Sequence, residues 1–340
     1  MSRFIATASA AYWRQALSEL RSVDPKIGSF RQLAPGVVRF QSTLGREEFL
    51  SRLAENEIIF LRHLQPVDLE VALAGAAEGD LPAVTAAIGP VLASIRPGER
   101  IAVQVRRLSG DFPYGRLALK EAIDPLITAA GGYPVTTGAD RILSIAQEEG
   151  LAQIGIATPA EQLSDWPGGE VRFRREEEQI SRAKFKLLEA LATFEVRFPD
   201  GGQALDLGAA PGGWTSLLLE RGLRVTAVDT GEMAEVLKGN PRLTILRKNV
   251  EEVAFEPDRF DLITCDMSWN PLHTADLLVK QAPAVKEGAH GILTVKLMLE
   301  NPTRTIRRVR ELLEGHYRVL RVKQLFHNRD EVTIHLIRRA

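Results

Sequence analysis

The chain has 340 residues, 45% of them hydrophobic and 26% charged, with a formal net charge of −1 at pH 7. That length accommodates two or three globular domains, and the near-neutral charge excludes a uniformly basic nucleic-acid binder while leaving room for a local basic face. The single cysteine, Cys265, excludes an internal disulfide and a cysteine-rich metal site, which fits a reducing compartment. No apolar run reaches membrane-spanning length, so a cytoplasmic protein with no membrane partner and no bound metal is expected.

In chain order, Arg3–Thr7 reads as a strand, Ala10–Leu20 as an amphipathic helix, and Ile27–Leu33 and Val37–Gln41 as strands around Pro35-Gly36. Arg46–Glu55 follows as a helix and Ile58–Leu64 as a strand, so residues 1–65 have the order β-α-β-β-α-β, a ferredoxin-like arrangement. A helix is expected over 81–95, then the strand Arg100–Arg106, a helix from about Gly115 to Ala130, and strands at Arg141–Gln147 and Ala152–Ala157. Ala102-Val-Gln-Val-Arg-Arg107, Tyr114 with its following helix, and Asp140-Arg-Ile-Leu143 together resemble a THUMP domain, an RNA-binding module, which would occupy 66–160. Two prolines and two glycines in residues 158–170 read as a linker, set at 161–170 in the domain division. From 171 to 340 strands and helices alternate as in a doubly wound α/β sheet, ending in an antiparallel hairpin at 316–323 and 331–338.

The chemistry concentrates in this second half. Asp206-Leu-Gly-Ala-Ala-Pro-Gly-Gly-Trp214 follows a short apolar run and leads into a helix beginning near Thr215. Such a strand, glycine loop and helix start lets a ligand approach the backbone and meet free N–H groups. The next strand, Leu223-Arg-Val-Thr-Ala-Val-Asp229, ends in an acid 23 residues beyond Asp206, placed to accept hydrogen bonds from two ribose hydroxyls. A nucleoside-containing cofactor follows, but the dinucleotide pattern G-x-G-x-x-G is absent. The pattern D-x-G-x-x-P-G-G-W resembles motif I of S-adenosylmethionine-dependent methyltransferases in the version of the FtsJ-like family.

That resemblance implies a catalytic set K-D-K-E. Lys186, in Ser181-Arg-Ala-Lys-Phe-Lys186, matches the first lysine; Asp266 ends Asp261-Leu-Ile-Thr-Cys-Asp266; Lys296 ends Gly291-Ile-Leu-Thr-Val-Lys296; Glu331 opens the last strand. Strand ends on one sheet edge can converge where ligands bind in open α/β folds. Lysine can orient a ribose 2′-hydroxyl and, with its pKa depressed, take its proton; Lys296 would need burial or a neighbouring cation such as Lys186 to do so. Which lysine is the base stays open. Lys184, two residues from Lys186, faces elsewhere on the helix and is expected to be exposed.

By the same resemblance S-adenosylmethionine would touch Ser181, Gly208, Ala210, Pro211, Gly212, Gly213, Trp214, Asp229, Asn249 and Asp266. Asn249 stands where the family usually has an acid reading the adenine amino group, so its amide oxygen would accept that bond. Met267-Ser-Trp-Asn-Pro271 also departs from the usual loop, near the target nucleotide. Motif order and the ending Lys323-Gln-Leu-Phe-His-Asn-Arg-Asp-Glu-Val-Thr-Ile-His335 are most similar to the RlmM branch of the family. The implied reaction is methylation of a ribose 2′-hydroxyl in RNA, 23S ribosomal RNA by that branch, with the RNA as macromolecular partner and a monomer favoured.

Ten Lys or Arg against four Asp or Glu lie between 301 and 340, and Arg304, Arg307 and Arg308 fall on one helix face, with Arg310 close by. This face is a candidate for phosphate contacts; Arg106 and Arg107 are second candidates. The competing readings are an RNA-binding or assembly factor without turnover, an RNA base methyltransferase and a small-metabolite methyltransferase. The base-directed reading lacks an N/D-P-P-aromatic motif at Asp266, and Cys265 should point into the sheet, opposite in sense to Asp266.

Overall fold

The computed structural model describes residues 1–174, 180–297 and 301–340. The chain divides into two compact units, Met1–Val171 and Arg172–Ala340.

Unit 1 begins β1 (Ser2–Ala8), α1 (Trp13–Val23), β2 (Gly28–Ala34), β3 (Val37–Ser42), α2 (Arg46–Glu55) and β4 (Leu61–Pro66). Its first sheet has the antiparallel order β2-β3-β1-β4. α1 buries Ala16, Leu20 and Val23, and α2 buries Phe49, Leu50 and Leu53. Phe4, Phe40 and Phe49 pack with ring centroids 4.6 to 5.7 Å apart. The chain continues through β5 (Leu69–Ala72), α3 (Ala77–Ala87), α4 (Gly89–Leu92), β6 (Arg100–Arg107), α5 (Arg116–Ala129), β7 (Tyr133–Val135), β8 (Arg141–Glu148) and β9 (Leu151–Ala157). These strands form a second sheet of order β5-β9-β8-β6-β7.

The helix expected over 81–95 starts earlier and is two helices, because the chain breaks at Ile88 and restarts with Pro90 in a first-turn position, where its missing N–H does no harm. β5 and β7, of four and three residues, were not expected from the sequence. Residues 158–170, read as a linker, pack within unit 1. Gln162 is fully buried and accepts from Ser144 Oγ at 2.8 Å, while Gly168 lies against the Arg106 guanidinium.

Unit 2 consists of α6 (Ala183–Thr193), β10 (Gln203–Leu207), α7 (Gly213–Glu220), β11 (Arg224–Val228), β12 (Leu243–Leu246), β13 (Phe260–Cys265), α8 (Pro271–Gln281), β14 (Val285–Lys296), α9 (Pro302–Leu313), β15 (Tyr317–Lys323) and β16 (Glu331–Arg338). The sheet order is β12-β11-β10-β13-β14-β16-β15. The first five strands run parallel, and β16 is antiparallel to both neighbours, as the expected terminal hairpin requires. The chain is thus an α/β protein whose second unit is a doubly wound, Rossmann-like sheet. The order reverses between β10 and β13, the switch point outside whose carboxyl ends such sheets bind ligands.

Candidate active site

β10 ends at Leu207, and the glycine loop turns from it into α7. Gly208 and Gly212 have φ of 71° and 114°, and a Cβ on either would lie 2.4 Å from Met267 Cγ or 2.2 Å from Leu237 Cδ1. Both glycines are therefore required by the protein's own packing. Asp229, at the end of β11, fixes the loop from the other side: Oδ2 accepts the Ala210 N–H at 2.9 Å and Oδ1 the Gly231 N–H at 2.7 Å. Each carboxylate oxygen keeps a further lone pair for a ligand hydroxyl.

Of the residues expected around a cofactor, Gly208, Ala210, Asp229, Asn249 and Asp266 line one open pocket of about 240 Å³. Thr230, Lys248, Val250, Met267, Ser268 and Trp269 complete its walls. Ser181, Pro211, Gly212, Gly213 and Trp214 do not line it. Trp214 is buried and donates its indole N–H to the Ala183 carbonyl at 2.8 Å, so it belongs to the core. Ser181 Oγ occupies the space a side chain on Gly213 would need. Asn249 Oδ1 accepts the Glu251 N–H at 3.1 Å and caps the short turn Val250–Glu252, so that oxygen reaches a ligand only through its second lone pair.

The four residues of the K-D-K-E set meet. Lys186 Nζ donates to Asp266 Oδ1 and Oδ2 at 3.1 and 3.2 Å and pairs with Glu331 Oε1 at 3.0 Å. Glu331, 1% exposed at its side chain, gives its other oxygen to Lys296, whose backbone partner in the β14–β16 ladder it is. Thr294 Oγ1 donates to Asp266 Oδ1 at 2.7 Å. Burial works against the Lys186 ammonium, but Asp266 and Glu331 outweigh it and hold its pKa above the ordinary lysine value. Burial raises the Asp266 pKa despite Lys186 and Thr294. Burial also pushes against ionised Glu331, yet the bonds from Lys296 and Lys186 leave its pKa below the ordinary value. Lys186 is thus a fixed cation, and Glu331 an anion shared by two amines.

Beneath the loop, Asp206 is 1% exposed and accepts from Thr215 Oγ1 at 2.6 Å and Thr264 Oγ1 at 2.9 Å. Burial, with Asp266 and Asp229 adding to it, outweighs these bonds and pushes its pKa from 3.8 up to about 7. The folded protein therefore retains a proton that the unfolded chain releases, so this group's contribution to stability falls as pH rises from about 4 to 7. A shift of that size corresponds to about 4 kcal/mol. Asp206→Asn is expected to remove this component, which urea unfolding at pH 5 and pH 8 would read. The same pH slope in both proteins would refute a protonated Asp206.

Other expected residues lie elsewhere. Lys184, expected to be exposed, is 5% exposed: it sits on the face of α6 that packs on α7 and pairs with Glu220 at 2.9 Å. Arg106, a second candidate for RNA contact, is buried and donates to Thr7 Oγ1 at 3.0 Å. Arg107 lies over the Phe112 and Tyr114 rings at 5.2 and 5.6 Å. On α9, Arg304 and Arg307 are exposed and Arg308 is half-buried. Cys265 is fully buried and burial pushes its thiol pKa up, which removes it as a nucleophile. Among the described residues there is no group of three potential metal ligands, and no helix is long and apolar enough to cross a membrane.

Residues 179–321 match the family model for FtsJ-like methyltransferases. Among curated proteins, the chain is similar to ribosomal RNA large subunit methyltransferase M of Teredinibacter turnerae, with 34% identity over 64% of this chain and 66% of that one. The protein of the same name from Laribacter hongkongensis is 36% identical over 52% of each chain, and that from Azoarcus sp. is 33% identical over 52% of this chain and 51% of its own. The chain thus spans between half and just under two thirds of the length of these relatives.

Proposed function

We propose that the protein transfers a methyl group from S-adenosylmethionine to a ribose 2′-hydroxyl of RNA, and that the RNA is 23S ribosomal RNA. The observation that carries this reading is the cluster of Lys186, Asp266, Lys296 and Glu331 beside the pocket that Gly208 and Asp229 shape. The similarity to large-subunit RNA methyltransferases supports the substrate, and the cytoplasm, where ribosomal RNA is modified, is the compartment it implies.

The residues present fit the cofactor: the second lone pairs of the Asp229 oxygens would take the ribose hydroxyls, and Gly208 and Ala210 leave space for the chain beyond it. When bound, S-adenosylmethionine supplies a methyl made electrophilic by its sulfonium. Lys186, cationic and held by two carboxylates, orients the attacking 2′-oxygen. Lys296 Nζ, as the free amine beside Glu331, would take the proton that the 2′-oxygen gives up. Alignment is the larger part of what the protein contributes.

The residues 66–160 are read as a THUMP-like RNA-binding region following a ferredoxin-like domain at 1–65, and the exposed face of α9 as a phosphate-contacting surface. Arg307→Glu with Arg308→Glu is expected to weaken RNA binding and reduce its salt slope by about 2. An unaltered binding curve would move the surface off α9. Asp229→Ala is expected to weaken S-adenosylhomocysteine binding about tenfold or more, for loss of charge-assisted bonds to two hydroxyls. Unchanged affinity by calorimetry would contradict the ribose assignment. The methyl-transfer reading is tested by incubating labelled S-adenosylmethionine with large-subunit RNA lacking its native modifications. Incorporation is expected; none, with S-adenosylhomocysteine still bound, would favour a fold without turnover.

A further inference from the structure

Trp269 is 40% exposed, and it lines the pocket three residues beyond Asp266. A single exposed apolar side chain needs no explanation, but this one is held in place. Its ring meets His273 at 5.2 Å and 84°, and a perpendicular contact uses at most one face of the indole. His273 Nε2 lies 2.9 Å from Glu251 Oε1, and the Glu251 N–H is the one that binds Asn249 Oδ1. At the far side of the loop, Asn270 Oδ1 accepts the Leu272 N–H at 3.0 Å and caps α8. A clasp from Trp269 through His273 to Glu251 therefore joins the start of α8 to the turn Val250–Glu252.

The clasp decides which end of the pocket the indole serves. With the ribose at Asp229, the reacting methyl must face Asp266 and Lys186. The nucleobase then extends the other way, toward Lys248, Asn249 and Val250. Glu251 follows Val250, so its tie to His273 sets Trp269 at the nucleobase end. We propose that Trp269 is the stacking surface for the adenine of the cofactor, positioned by the His273–Glu251 pair. This rests on the methyltransferase reading above. It also gives the unusual Met267–Pro271 loop a role, since the same short segment that leaves Asp266 closes over the base.

A base that loses its stacked aromatic binds more weakly, so Trp269→Ala is expected to raise the Kd for S-adenosylhomocysteine about tenfold. Trp269→Phe keeps a π-face and is expected to stay within about threefold. His273→Ala should fall between them, and KM for RNA at saturating cofactor should stay unchanged in all three. The chain has four tryptophans, Trp13, Trp166, Trp214 and Trp269. S-adenosylhomocysteine should quench the wild-type fluorescence, and Trp269→Phe should abolish that quench, which tests the contact even if the alanine variant does not fold. A folded Trp269→Ala protein with unchanged S-adenosylhomocysteine affinity overturns the proposal, and a raised KM for RNA beside it would assign the ring to the target nucleotide. Wild-type protein that binds no S-adenosylhomocysteine would instead overturn the methyltransferase reading.

Discussion

Lys296→Ala is expected to lower turnover by about 10²–10⁴-fold, the span of a general base removed from proton transfer, with S-adenosylhomocysteine affinity unchanged. The expectation follows from how the two lysines differ. Lys186 is held by both Asp266 and Glu331, which keep its pKa above the ordinary lysine value, so it is poorly suited to receive a proton. Lys296 ends β14, pairs with Glu331 alone among the two carboxylates and retains 22% exposure of its side chain, so its amine can turn toward a substrate. It does not line the cofactor pocket, which is why cofactor binding should persist. Retained turnover in this variant would take the proton-acceptor role away from Lys296. Loss of cofactor binding together with activity would mean the substitution disturbs the pocket and not the proton.

Glu331→Ala is expected to destabilise the fold by about 2–3 kcal/mol, because removing one member of a buried charge cluster leaves the others uncompensated; the partly exposed lysines keep the effect below that of a fully enclosed pair. Its carboxylate also accepts the Arg329 N–H at 3.3 Å, so the turn entering β16 loosens as well. Without this anion Lys186 keeps only Asp266, and its pKa should fall toward the ordinary range. Turnover should fall with stability even at temperatures where the variant is folded, because both amines lose their shared anchor. Glu331→Gln keeps the volume and separates the two effects: it should lose less stability than the alanine variant but a comparable share of turnover. Chemical denaturation and single-turnover transfer read the two quantities. An alanine variant as stable as wild type would show that the lysines do not need the shared carboxylate.

The parts legible in the sequence were those whose chemistry is carried by contiguous residues. The glycine loop, the acid ending β11 and the alternation of strand and helix all appear as local patterns, and the structure places them on one sheet edge. Lys186, Asp266, Lys296 and Glu331 are scattered over 146 residues, and only the resemblance to a family joined them. What could not be read was burial set by a distant partner. Lys184 looks solvated until Glu220 and the packing face of α7 are placed beside it. Arg106 looks like a phosphate ligand until Gly168 and Thr7 enclose it. Thr215, Thr264 and Thr294 carry no recognisable spacing, yet they hold buried Asp206 and half-buried Asp266. Trp214 belongs to the motif by position but serves the core, while Trp269 lay in a loop noticed only for its departure from the family pattern. The short strands β5 and β7 escaped because three or four residues hold too few repeats of an alternating pattern.

The most direct test of the central claim is the identity of the nucleoside that receives the methyl group. Large-subunit RNA lacking its native modifications would be labelled with the purified protein and digested to nucleosides. The cluster of Lys186, Asp266, Lys296 and Glu331 predicts that the label resides in a 2′-O-methylribonucleoside and vanishes with Lys296→Ala. Label in a methylated base would contradict the ribose hydroxyl as the acceptor and, with it, the role given to the four residues.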